Sequence, residues 1–149
     1  MKQSRFAAVI LAAGSGTRMK SAMPKVMHPI AGRPMIAYPL EALRPLSAAA
    51  TLVVIGPRMK GVAETVAPAA SVVQDPPLGT GDAVRTAMLA LDGRLAPQGS
   101  IEDVLVLYGD TPFLATETLS RLLAERRRSA AAILSISTGS ILVRMRPSA

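Results

Sequence analysis

Cysteine is absent from the 149 residues, and aromatic side chains make up only 3% of them. The first absence excludes a disulfide framework and a thiolate metal site, and it suits a reducing compartment. The second leaves little flat surface on which unpaired bases could stack, which counts against single-stranded nucleic-acid binding. Histidine occurs once, as His28 in a proline-flanked loop, so no second imidazole exists for a metal pair, and a structural role is expected for it. No apolar run approaches the roughly 18 residues needed to span a bilayer. Lys2 and Arg5 ahead of a short apolar run superficially resemble a secretory leader. That run empties into Gly14-Ser-Gly-Thr-Arg-Met-Lys20 rather than a small-residue cleavage site. The expectation is a cytoplasmic protein with no membrane partner.

What is present is enough for a core. Half of the residues are hydrophobic, mostly Ala, Val, Leu, Ile and Met, and the length fits one domain at most. The formal net charge is +7, unevenly spread: without Arg126, Arg127, Arg128, Arg144 and Arg146 it falls to +2. A basic surface can serve nucleic acid, anionic lipid or a phosphorylated small substrate. The bland alternative is a solvated helix end and a loose tail. Without aromatics or clustered basic motifs, a nucleic-acid partner is not expected, and no protein partner is indicated.

Taken in order, Phe6–Leu11 reads as a buried strand, and residues 12–33 as mostly loop. Pro34 suits a helix start for 34–43, with Pro39 forcing a kink or a late beginning. Strands are expected at 51–55, 71–74 and 104–107, and helices at 59–66, at 80–91 capped by Thr80, and from Thr116 as a cap through the arginine run. Residues 130–136 could add a fifth strand. Strands alternating with helices predict an α/β fold: a Rossmann-like, doubly wound, mainly parallel sheet with helices on both faces.

In such a sheet ligands bind beyond the carboxyl ends of the strands, and three loops with chemical character emerge there. The first is Leu11-Ala-Ala-Gly-Ser-Gly-Thr-Arg18 with Pro24-Lys25. A dinucleotide fingerprint would need glycine where Met19 stands, and a Walker loop would need a glycine that Met19-Lys20-Ser21 lacks. What remains is a small-residue loop whose amides can approach an anion closely, with two cations beside it; an ordinary strand–loop turn reads equally well. The second loop offers Gln74 and Leu78-Gly79-Thr80. The Gln74 amide could read the edge of a pyrimidine, or simply finish a strand. The third, Tyr108-Gly109-Asp110, offers a carboxylate for a hard cation, or for capping the next turn.

Together the three loops resemble one family. Leu11 to Arg18 with Pro24-Lys25 is similar to the signature of sugar-phosphate nucleotidyltransferases, Leu-x-x-Gly-x-Gly-x-Arg followed by Pro-Lys. Pro24-Lys-Val-Met-His-Pro-Ile-Ala-Gly-Arg-Pro-Met35, Gln74-Asp-Pro-Pro-Leu-Gly-Thr-Gly-Asp-Ala-Val84 and Leu105-Val-Leu-Tyr-Gly-Asp-Thr-Pro112 resemble segments of its N-acetylglucosamine-1-phosphate uridyltransferase branch. That branch forms the N-terminal domain of bacterial bifunctional uridyltransferase/acetyltransferases. The resemblance covers about residues 5–132.

It implies transfer of uridylyl from UTP to N-acetylglucosamine 1-phosphate, for cell-wall and lipopolysaccharide precursors, with Mg²⁺ as cofactor. Leu11, Ala12, Ala13, Gly14, Gly16 and Thr17 would line the nucleotide, and Gln74, Gly79 and Thr80 would hold the base. Arg18 and Lys25 would be the catalytic cations, Tyr108 and Gly109 would line the sugar side, and Asp110 would ligate the metal. Two departures stand out. Asp82 occupies a place where the family usually has His. The family's domain also continues further, with a second metal-ligating Asn, and is followed by an acetyltransferase β-helix. The expected organisation is a nucleotidyltransferase part over 1–137 and a divergent tail over 138–149, from a truncated or frameshifted reading. A nucleotide-binding fragment without turnover, or an enzyme for another sugar phosphate, are the alternatives.

Overall fold

The strand Phe6–Ala12 (β1) lies at the centre of a four-stranded parallel sheet, and it is apolar throughout because both its faces are covered. The computed structural model describes residues 5–14, 22–92 and 101–134. Its other sheet strands are Ala50–Ile55 (β4), Ala70–Val73 (β5) and Asp103–Tyr108 (β6), in the order β5-β4-β1-β6. β1 pairs in register with β4 from Ala7↔Ala50 to Ala12↔Ile55, and with β6 from Phe6↔Asp103 to Leu11↔Tyr108. A two-stranded hairpin, Pro29–Ile30 (β2) and Arg33–Pro34 (β3), stands apart from this sheet.

Among the described residues four α-helices cover the sheet. Ala37–Leu43 (α1), Lys60–Thr65 (α2) and Thr116–Arg126 (α4) pack on one face. There Ile36, Leu43, Val62, Val66 and Leu119 meet Phe6, Ala8, Ile10, Val53, Leu105 and Leu107. Thr80–Ala90 (α3) covers the other, where Ala83, Ala87 and Leu91, four residues apart, lie on Ala7, Val9, Leu52 and Val54. The chain steps outward from β1 to β4 to β5 with its helices on the first face. It then returns across the sheet to β6 with α3 on the second. Reversing direction and face together keeps one crossover hand, as parallel units require. The reversal places the loops after β1 and β6 side by side at a topological switch point. None of the described helices is long and apolar enough to cross a membrane.

The structure corrects several expectations. Pro34 belongs to β3, not to a helix; α1 starts late, at Ala37, so Pro39 falls in the first turn, where no intrahelical donor is lost. Gly79, not Thr80, is the N-cap of α3, and Ala115, not Thr116, that of α4. Thr116 Oγ1 instead donates to the Ala42 carbonyl at 2.9 Å, tying α4 to α1. Residues 130–134 form no strand, which leaves the outer edge of β6 unpaired among the described residues; the rest of that expected strand and the tail over 138–149 lie outside them. Of the arginine run, Arg126 pairs with Asp103 at 3.2 Å while Arg127 and Arg128 are exposed at the helix end.

Candidate functional site

The carboxyl ends of β1, β5 and β6 open into one cavity of about 400 Å³. Leu11, Ala12, Ala13, Gly14, Lys25, Gln74, Gly79, Thr80, Tyr108 and Asp110 all line it. Three loops separated in sequence by tens of residues thus meet at one place. Gly16, Thr17 and Arg18 lie outside the described residues.

Lys25 reaches the cavity because its neighbour is anchored. Lys25–Met27 is a single 3-10 turn whose Val26 is buried in the core, and the Ile36 N–H donates to the Val26 carbonyl at 3.0 Å. Lys25 Nζ then donates to Asp110 Oδ2 at 2.6 Å. The turn after β6 is closed by Thr111 Oγ1, which donates to the Tyr108 carbonyl at 2.6 Å. Asp110 is therefore not spent on turn capping; its carboxylate faces the cation across the cavity.

Gly109 lies beside the cavity rather than in its lining. Its N–H donates to the Leu11 carbonyl at 2.9 Å, and a Cβ there would stand 3.1 Å from Val26 Cγ1 and 3.2 Å from Leu11 O. Glycine at 109 lets the β6 loop close against β1 and Val26.

Gln74 is not a solvated strand end. It follows β5, its N–H donates to the Ile55 carbonyl at 2.8 Å, and its side chain is 2% exposed. Gln74 Nε2 donates to the Gly79 carbonyl at 3.0 Å and to Asp82 Oδ2 at 2.9 Å. Gly79 caps α3 at φ +104°, a left-handed conformation that favours glycine. Gly79 and Thr80, at the start of α3, both line the cavity. Asp82 Oδ1 accepts from Arg85 Nη2 at 2.7 Å, and the Gln74 amide and then the Arg85 guanidinium hold its carboxyl below the usual aspartate range.

Val26, Pro77 and Ala83 also line the cavity, although sequence reasoning did not place them there. Ala83 sits three residues after Thr80, so helical spacing carried that signal. Val26 and Pro77 carried none beyond adjacency to charged or loop residues. Backbone amides of small residues, one cation, one carboxylate and a buried amide make a site suited to an anionic ligand with a planar hydrogen-bonding group.

A family model described as a MobA-like NTP transferase domain matches residues 8–142. The bifunctional protein GlmU of Paramagnetospirillum magneticum is 52% identical over 130 residues, which cover 85% of this chain and 27% of that protein. The chain spans about a quarter of the length of the curated relatives it matches. Among solved structures, the Rv0371c homologue of Mycobacterium sp. strain JC1 superposes with a TM-score of 0.68 at 24% identity, over 85% of this chain and 61% of that one. Rv0371c of Mycobacterium tuberculosis in complex with manganese gives 0.62 at 21% identity, over 83% and 60%. These structural likenesses speak to the fold alone. With the family model matching nearly the whole described sheet, from β1 to β6 and α4, the chain belongs to the MobA-like NTP transferase domain family.

Proposed function

We propose that this chain carries the nucleotide site of a sugar-phosphate nucleotidyltransferase that transfers uridylyl from UTP to N-acetylglucosamine 1-phosphate. The observation that carries the reading is the convergence of the Ala12–Gly14, Gln74–Thr80 and Tyr108–Asp110 loops, with Lys25, on one cavity of about 400 Å³. Its likeness to GlmU supports the choice of uridine and of the amino-sugar phosphate.

In this reading the backbone of Ala12, Ala13 and Gly14 holds the nucleoside, and Gln74, Gly79 and Thr80 meet the base. Lys25, with Arg18 from the same loop, neutralises triphosphate oxygens. A phosphate oxygen of the sugar 1-phosphate attacks the α-phosphorus of UTP. The bond from that phosphorus to the β-bridging oxygen breaks, and pyrophosphate leaves with the electron pair. Such transfers need positioning and charge neutralisation rather than a covalent nucleophile. The chain contributes both through loops that meet at the switch point, and in this reading Tyr108 lines the sugar side.

The residues fit a divalent cation. Mg²⁺ takes one or two carboxylates and completes its shell with water and phosphate oxygens, and Asp110 is a carboxylate that lines the cavity. Among the described residues no group of three or more His, Cys, Asp or Glu that could hold a metal ion occurs. Bound at Asp110, Mg²⁺ would supply charge neutralisation to the departing pyrophosphate.

The test is to incubate the chain with UTP, N-acetylglucosamine 1-phosphate and Mg²⁺, measuring pyrophosphate release and UTP binding in parallel. Turnover, faster with this sugar phosphate than with glucose 1-phosphate, supports the full reading. UTP binding without pyrophosphate release reduces it to nucleotide binding. Absence of UTP binding overturns it.

A further inference from the structure

The two ends of a glutamine amide have nearly the same shape, so their neighbours decide which is which. At Gln74 both neighbours are acceptors: the Gly79 carbonyl oxygen at 3.0 Å and Asp82 Oδ2 at 2.9 Å. Only a nitrogen bearing two hydrogens satisfies both. The reverse orientation would press Oε1 against an ionised carboxylate, which has no proton to offer. The side chain is almost fully buried, so solvent cannot compensate for such a mismatch. Asp82 is itself held from behind, by Arg85 Nη2 at 2.7 Å and Nε at 3.2 Å on its other oxygen. Both donors of Nε2 are thereby occupied, and no hydrogen bond to Oε1 occurs among the described residues.

We propose that Asp82 is a positioning residue that locks the Gln74 amide with Oε1 free as an acceptor at the cavity, so that the site selects a base bearing a ring N–H. The inference rests on the nucleotide reading given above and adds how the base is chosen. A uracil-type imide presents a ring N–H donor and matches a free acceptor. Cytosine presents an unprotonated ring nitrogen at the same place, which sets acceptor against acceptor. Without Asp82 one hydrogen of Nε2 loses its partner. The Gly79 carbonyl then holds the orientation alone, the amide turns over more readily to offer a donor, and the preference between the two bases narrows. The lowered proton affinity of Asp82 agrees with a carboxylate that stays ionised while it accepts.

The experiment measures dissociation constants for UTP and CTP with the full chain and Mg²⁺, for the wild type, Asp82→Ala, Asp82→Asn, Gln74→Ala and the Gln74→Ala/Asp82→Ala double variant. The wild type is expected to prefer UTP by about tenfold or more, the scale of one mismatched buried hydrogen bond. Asp82→Ala should lower the ratio without abolishing it, because the Gly79 carbonyl still accepts from Nε2, and Asp82→Asn, which keeps an acceptor, should restore part of the loss. In the Gln74→Ala background the Asp82 substitution should leave the ratio unchanged. If Asp82→Ala weakens both nucleotides equally, Asp82 is only structural and the inference fails. If Asp82→Ala does not fold, the same ratio in Asp82→Asn and Arg85→Ala decides: an undiminished preference in both overturns the inference. A wild type that binds UTP and CTP equally well sinks the inference while the nucleotide reading stands. A wild type that binds neither sinks both.

Discussion

Lys25 Nζ lies 2.6 Å from Asp110 Oδ2, joining the loop after β1 to the loop after β6 across 85 residues of sequence. The side chains remain 44% and 33% exposed, so the pair contributes at most about 1 kcal/mol to stability. Its significance lies in placement. Each charge keeps the other at the cavity wall until a ligand of opposite sign competes for it: phosphate oxygens for the ammonium, a cation for the carboxylate.

Replacing Lys25 by Ala should therefore weaken UTP binding by about tenfold or more, the order of one charge-assisted contact, and leave uridine binding nearly unchanged. The two affinities, measured side by side, isolate the phosphate contribution. An equal loss for uridine and UTP would remove Lys25 from the anion-binding role.

Asp110→Asn should abolish the dependence of UTP affinity on Mg²⁺ while changing the free energy of unfolding by less than about 1 kcal/mol, because the ion pair is half solvated. Titrating Mg²⁺ at fixed UTP, with urea unfolding as a control, separates the two effects. Undiminished Mg²⁺ dependence in the variant would place the metal elsewhere.

Gly109→Ala tests the packing beneath the site. The added Cβ would meet Val26 Cγ1 at 3.1 Å and the Leu11 carbonyl oxygen at 3.2 Å. That carbonyl already accepts from the Gly109 N–H and cannot retreat without loosening the bond. Overpacking of this kind costs about 1–3 kcal/mol. Gly14→Ala is the matched control, because a Cβ at Gly14 meets nothing within 4 Å among the described residues. The urea midpoints should differ in that order.

The strands were legible because each is a short, largely apolar stretch closed by turn residues, and at β1 and β4 burial on both faces leaves such runs little alternative. The hairpin of β2 and β3 was not. It is two residues per strand with a proline at each outer position, and its turn, Ala31-Gly32, has positive φ at both residues without the usual Asn or Asp signal. The helix caps slipped by one residue because Gly79, at φ +104°, and Ala115 precede threonines that look like caps themselves. In the site, the convergence of three loops followed from the parallel topology alone. Asp82 was visible only as a first-turn acid and a departure from the family. Its bond to Gln74 depends on the 75–79 loop folding back over the strand end, which no local pattern encodes. The packing role of Gly109 was hidden for the same reason, since Val26 and Leu11 reach it only through the fold.

The charge on Asp82 gives a pH dependence with a defined sign. Its carboxyl is held below the ordinary 3.8, first by the Gln74 amide and then by Arg85. A group whose folded value is depressed contributes stability that is present above its unfolded value, near pH 4, and is lost as the pH falls through the lower folded value. Gln74 does not titrate and the substitution alters residue 82 alone, so the change belongs to Asp82. Asp82→Asn should therefore be less stable than the wild type at neutral pH, and the gap should narrow as the pH is lowered below about 4. Comparing the two proteins at each pH cancels the acid response of the other carboxylates. Urea midpoints at pH 7, 5, 4 and 3 measure it, with added salt narrowing the gap through the exposed Arg85 partner. A gap of constant size across that range would mean that the carboxylate charge plays no part in holding Gln74, and that any acceptor at position 82 would serve equally well.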